Sequence, residues 1–229
     1  MFKKNRAQYH EDIERYTKEI TTGGLSPMHI FDVIARSKDH AVAALSNNDA
    51  LNIRYDGIPL AHHIPYCWES IGILMIYNPK LTPLFDIVSD NGDTTLHTII
   101  RNSSRSRRTL LERGRRDCLK IANTKNGVSI SHLLAFDDRA ICKIINSNEY
   151  RKELLRRENF SGSSVAHWVA QHSLTGSKMI LNKLECGSTE TENFFKYVLR
   201  QKDKNNNTVM NLIRERWINM LILQNVFHQ

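Results

Sequence analysis

A glycine followed five residues later by a histidine recurs along this chain at a nearly constant step, and no other feature limits its fold as tightly. Gly24-Leu-Ser-Pro-Met-His29, Gly57-Ile-Pro-Leu-Ala-His62, Gly92-Asp-Thr-Thr-Leu-His97, Gly127-Val-Ser-Ile-Ser-His132 and Gly162-Ser-Ser-Val-Ala-His167 are separated by 33, 35, 35 and 35 residues. A degenerate sixth copy, Asn206-Asn-Thr-Val-Met-Asn211, follows after 44. The residue two after each anchor is Ser, Pro, Thr, Ser, Ser and Thr, and the next two are small or apolar almost throughout. A register held over six windows is the signature of a repeat protein.

Each copy has the same grammar. The anchor glycine permits positive φ and a turn, and the hydroxyl or proline at plus two suits a helix start. A short first helix follows, read at 96–101, 130–136 and 165–171. A second is read at 71–77, 140–145 and 178–184, then an apolar pair (Leu84-Phe85, Leu154-Leu155, Val198-Leu199) and a polar turn. Helices below about 12–15 residues are marginal alone, so neighbouring copies must stack to bury a continuous core. Residues 8–20 place Ile13, Tyr16 and Ile20 on one helical face, which predicts a capping helix before the first copy. The expectation is one all-α domain over 1–229. A capping helix fills 1–23, five repeats fill 24–205 with an exposed polar loop inserted near 185–193, and 206–229 is a degenerate repeat or cap. The apolar stretch 218–227 reads as a cap, a docking helix or a secretion signal.

Gly92-Asp-Thr-Thr-Leu-His97, together with the Pro and His of the copies at 24 and 57, resembles the ankyrin repeat, Gly-x-Thr-Pro-Leu-His-x-Ala-Ala with a period of 33. The resemblance covers roughly 24–216 and implies an ankyrin-type helical solenoid with short finger-like turns. It implies that the repeated histidine bridges turns by hydrogen bonds. It also implies a non-catalytic module that grips a protein partner through its concave surface. The chain departs from the family in its period of 35, in lacking the second glycine, and in Pro65, which is expected to interrupt a first helix. Ser164-Val-Ala-His167 is similar to ankyrin-like effectors delivered into host cells by intracellular bacteria, which implies a host protein as partner.

Variation inside a repeating frame is where such a scaffold carries recognition. Two residues before the anchors stand Tyr55, Lys125, Phe160 and Lys204, and one residue after the repeated histidine stand His63 and Trp168. These six are the expected partner-binding residues, with the aromatics as hot spots. A second candidate is basic. Arg101, Arg105, Arg107, Arg108, Arg113, Arg115 and Arg116 face only Glu112 between 101 and 116, a large share of the net charge of +8. That patch fits an acidic protein surface or anionic lipid. It fits nucleic acid less well, because no aromatic is interleaved to stack bases.

The remaining classes find little support. Hydrophobic residues at 41% and charged residues at 24% are globular values, and the longest apolar run, 71–77, is far short of the roughly 18 residues of a membrane span. The charged first sixteen residues do not read as a signal peptide. Cysteines 67, 118, 142 and 186 are too scattered for a disulfide framework or zinc site, which favours a reducing, cytosolic setting and a monomer without cofactor. Histidines at equivalent positions in successive repeats stand on the order of 10 Å apart and cannot share a metal. No Ser-His-Asp or Cys-His arrangement and no phosphate-cradling loop is read from local spacing. An enzyme on a helical scaffold is the third and least supported reading.

Overall fold

A computed structural model describes residues 5–186 and 188–227. The protein is mostly helical, and among the described residues strand pairing is confined to short turns. It divides into two compact units. The first runs to Arg113 and takes in Asn123–Lys125; the second holds Gly114–Ala122 and everything from Asn126 on.

The first unit begins with α1 (Arg6–Thr21), α2 (Pro27–Arg36), α3 (Lys38–Ala44) and α4 (Asn48–Asn52). A hairpin, β1 (Arg54–Tyr55) and β2 (Ile58–Pro59), turns on Asp56 and Gly57, both at positive φ, as a two-residue Asp-Gly hairpin requires. It leads into α5 (Leu60–Cys67), α6 (Glu69–Tyr77), a 3-10 helix (Pro79–Asp86), α7 (Thr95–Asn102) and α8 (Ser104–Glu112). The second unit contains α9 (Arg116–Leu119), then α10 (Ile130–Leu133) prolonged by a 3-10 turn (Leu134–Phe136). It continues with α11 (Asp138–Asn146), α12 (Asn148–Leu154), α13 (Val165–His172), α14 (Leu174–Cys186), α15 (Thr189–Arg200) and α16 (Val209–Phe227).

The repeat register reappears in the backbone. Gly57, Gly92, Gly127 and Gly162 are left-handed, with φ between 70° and 86°, and Asn206 takes the same conformation at 63°. Asparagine tolerates that region better than other side chains, so the sixth copy keeps its turn without its glycine. At the first copy the left-handed residue is Gly23 rather than Gly24.

The first five copies hold three helices, not two. The apolar pairs ahead of the anchors sit on or at the end of the third: Leu84 and Phe85 on the 3-10 helix, Leu154 and Leu155 at the end of α12, and Val198 and Leu199 on α15, all buried. Of the expected inserted loop at 185–193, Glu185 and Cys186 end the 13-residue α14 and 189–193 begin α15, whose N-cap Ser188 accepts from the Thr191 N–H. Polarity on an exposed helix face looks like a loop when read from composition alone. Pro65 does not interrupt α5 either, because the helix continues to Cys67 and closes with the Trp68 N–H on the Ile64 carbonyl at 2.9 Å.

In each unit the core is made of aliphatics contributed by successive first and second helices. Leu60 and Ile64, Leu96 and Ile100, and Ile71, Met75 and Ile76 are fully buried in the first unit. Ile130, Leu134, Val165, Val169, Ile141 and Ile145 are fully buried in the second. Each such side chain stabilises by roughly 1.5–3 kcal/mol relative to exposure. The first end is closed by α1, as expected, but through a different face. Ile13 is buried together with Thr17 and Asp12, and Asp12 Oδ2 lies 3.2 Å from His40 Nε2. The apolar stretch at 218–227 belongs to α16, and its side chains beyond 220 lie outside the described residues.

Candidate recognition surface

The turns pair in the same way in each unit. Asp90 N–H donates to the Gly57 carbonyl and Thr124 N–H to that of Gly92, in the first unit, each at 3.0 Å. Phe160 N–H donates to the Asn126 carbonyl and Lys204 N–H to that of Ser161 in the second, at 2.9 and 3.0 Å. Each turn also covers the anchor glycine before it. A Cβ at Gly57 would meet Asp90 at 2.5 Å, and one at Gly127 would meet the Phe160 ring at 2.5 Å and its backbone nitrogen at 2.8 Å. Lys125 covers Gly92 and Lys204 covers Gly162 in the same way.

The first helices are held by their histidines. Thr94, Ser129 and Ser164 cap α7, α10 and α13, and their own backbone N–H groups donate to Nδ1 of His97, His132 and His167 at 3.1–3.3 Å. Nδ1 is therefore unprotonated, and Nε2 carries the hydrogen. Nε2 of His132 donates to the Ser163 carbonyl and that of His167 to the Asn207 carbonyl, both at 3.1 Å. This is the turn-bridging role the resemblance implies. Burial, outweighing the Ser163 bond, pushes the His132 imidazole down to about 4. His62 differs, because Pro59 offers no N–H. Its Nδ1 pairs with the Thr98 hydroxyl and its Nε2 with the Ile87 carbonyl, both at 2.9 Å, and burial lowers it too. His29 departs from the set, being exposed with its ring against Tyr16.

On this frame the exposed faces of the first helices carry rings. In the first unit, Phe31 of α2 lies 5.8 Å from Tyr55 and 4.9 Å from His63, and His63 lies 6.4 Å from Tyr66. Tyr66 is 67% exposed. Beside these rings opens a cleft of about 400 Å³, lined by Ile58, His62, His63, Tyr66, Ser89, Asn91, Asp93, Thr98, Arg101 and Asn102. Its polar wall is the buried carboxylate of Asp93, bound by Arg101 and by the Asn123 amide. Burial would raise that carboxyl, but the bonds from Arg101 and Asn123 outweigh it and hold the group below its ordinary range. In the second unit, Trp168 sits among His132 at 5.3 Å, Phe136 at 5.8 Å and His172 at 5.7 Å.

Of the six expected partner-binding residues, the structure brings Tyr55 and His63 into one aromatic group and puts Trp168 at the centre of another. Lys125, Phe160 and Lys204 lie on turn tips instead, their chains laid over the preceding glycines. Phe31, Tyr66, Phe136 and His172 were not expected. Tyr66 and Phe136 both stand nine residues after an anchor glycine, so comparing copies at that offset would have found them.

The arginines of the run take different partners within each unit. In the first unit Arg101 pairs with Asp93, Arg107 donates to the Ile100 and Arg101 carbonyls, Arg108 to that of Ser104, and Arg113 lies over Tyr77. In the second, Arg115 pairs with Asp117, and Arg116 with Glu149 and the Tyr150 ring. Arg105 is exposed on α8.

At an i, i+4 spacing that the sequence displays, a thiol stands beside an imidazole on α5. Cys67 Sγ lies 3.3 Å from His63 Nε2, one helical turn away. Burial pushes the thiol up and the imidazole down, the reverse of what a thiolate–imidazolium nucleophile needs. The pair is a neutral S–H···N bond that fixes the His63 ring.

No family profile matches the chain, and no curated protein matches it. In fold it is similar to a chain from the solved complex of the predatory endopeptidase Bd0816 of Bdellovibrio bacteriovorus with immunity protein Bd3460. The likeness has 15% identity and a TM-score of 0.50, over 81% of this chain and 90% of that one. No described helix is long and apolar enough to cross a membrane.

Proposed function

We propose that the chain is an ankyrin-type helical repeat protein that serves as a protein-binding module without chemistry of its own. It grips its partner through the turns and the exposed sides of the first helices. One observation carries this reading: among the described residues most of the large apolar side chains left exposed, Met28, Tyr55, Ile58, Tyr66, Phe136 and Phe160, lie on turns or first helices, against Leu74 and Tyr77 on α6, Tyr197 on α15 and Ile218 on α16. Exposed aromatics on rigid elements are the usual anchors of protein interfaces. The electrostatic alternative is attachment to an acidic protein or anionic lipid through the arginines, of which Arg115 and Arg116 already face carboxylates of the fold, Asp117 and Glu149.

The test is capture of a partner by the immobilised full chain from eukaryotic and from bacterial lysates, followed by cross-linking. The expected partner is a host protein, as for a host-directed effector. Tyr66→Ala combined with Phe136→Ala should weaken capture at least tenfold, while Arg105→Ala with Arg107→Ala and Arg108→Ala should leave it within about twofold. The opposite ranking, with binding that collapses in high salt, would replace this reading with the electrostatic one.

A further inference from the structure

The two units place different side chains at the same repeat positions, and the difference identifies a ligand class for the first. A step of 70 residues, two repeats, carries α5 onto α10 with its 3-10 extension, and α7 onto α13. Under that step His62 corresponds to His132, Tyr66 to Phe136, and Ile58 to Val128. Thr98 corresponds to Trp168. In the second unit the indole fills the space edge-on to His132 and Phe136, at interplanar angles of 72° and 84°. The first unit offers an imidazole and a ring at those same positions, but the short Thr98 leaves the cleft of about 400 Å³ open. That size is within the range of small-ligand sites.

We propose that this cleft receives an aromatic side chain from a partner protein, with a neighbouring carboxylate of the partner bound by Arg101. Trp168 shows within the same chain what chemistry such a frame holds: a flat ring meeting a histidine and an aromatic at their edges, a favoured geometry. The acidic neighbour follows from the second difference, Asp93 and Arg101 where the other unit has Ser163 and Gln171. The Asp93 side chain is 6% exposed and that of Arg101 48%. The guanidinium spends two of its five N–H donors on the buried carboxylate and turns its remaining face outward. A carboxylate matches that fork in charge and shape.

The inference rests on the reading of this face as a recognition surface, yet it is tested without any protein partner, so either can fail alone. N-acetyl-Trp-Glu-amide is titrated into the full chain and followed by two-dimensional NMR. The side-chain resonances of His62, His63 and Tyr66 should shift and saturate in the millimolar range. Thr98→Trp, which supplies the ring from within, should weaken binding at least tenfold. Because that variant loses the Thr98–His62 bond, Tyr66→Ala serves as a second: it removes a largely exposed ring and should weaken binding about fivefold. Arg101→Gln should cost about fivefold for this probe and leave N-acetyl-Trp-Lys-amide within twofold. No shift at these residues, equal binding of N-acetyl-Leu-Glu-amide, or binding undiminished in both Thr98→Trp and Tyr66→Ala would overturn the proposal.

Discussion

The first unit and the second use one frame in two states, open at Thr98 and filled at Trp168. Their backbones are similar there: same helix lengths for α7 and α13, same N-cap position, same left-handed glycine. Among the changes that separate them, two alter the cleft itself: threonine for tryptophan, and an acid–arginine pair for serine and glutamine. Thus the repeated residues define the shape of the surface, and the residues that vary decide whether a given stretch is sealed or receptive.

The largest test of this comparison concerns the anchors. Gly127→Ala combines a left-handed φ of 71° with a Cβ 2.8 Å from the Phe160 backbone nitrogen, and it should cost about 4 kcal/mol from strain and overpacking together. Gly57→Ala, whose nearest obstacle is the exposed Asp90 side chain, should cost about half as much. Thermal and denaturant unfolding would measure both.

Acid should act next. The His132 imidazole, held down to about 4 by burial, binds a proton less readily in the folded chain than in the unfolded one. Stability is therefore present above pH 6.5 and is lost as pH falls from there through about 4, in total on the order of 3 kcal/mol. His132→Asn should flatten that dependence between pH 7 and 4.5 more than His62→Asn does. Each Nδ1 faces a hydroxyl that can turn to accept, Ser129 at 2.8 Å from His132 and Thr98 at 2.9 Å from His62, so the difference comes from the deeper burial of His132.

Trp168→Thr, which makes the second unit resemble the first, should lower stability by about 2 kcal/mol through lost ring packing. Thr98→Trp should stay within about 1 kcal/mol. Arg101→Gln should cost about 1 kcal/mol or less, because the guanidinium is half exposed and screened. Arg105→Ala, smallest of all, should stay within about 0.5 kcal/mol.

Much of this was legible in the sequence, for reasons that differ by residue. Gly57, Gly92, Gly127 and Gly162 could be read because a left-handed turn favours glycine, and at Gly92 and Gly127 a Cβ would also meet backbone nitrogen within 3 Å. His132 and His167 could be read because their bonds recur at a fixed offset. The third helices could not: α9 is four residues long and α4 five, too short for a periodicity to show. The helical insertion in α14 and α15 was masked by its polar surface. The aromatic groups were only half legible, since Tyr55 meets Phe31 across 24 residues of intervening chain and no local spacing records that contact. The partners of the arginine run were not legible, since Arg116 meets Glu149 across a long stretch of chain while Arg101 pairs with Asp93 nearby.

The most direct measurement compares wild type with Trp168→Thr by NMR, titrating N-acetyl-Trp-Glu-amide and following the histidine side chains. Wild type should show shifts at His62 and His63 alone, and Trp168→Thr should add His132 and His172 as the second unit opens. Shifts at His132 in the wild type, or none at His132 once Trp168 is removed, would contradict the account of one frame in an open and a filled state.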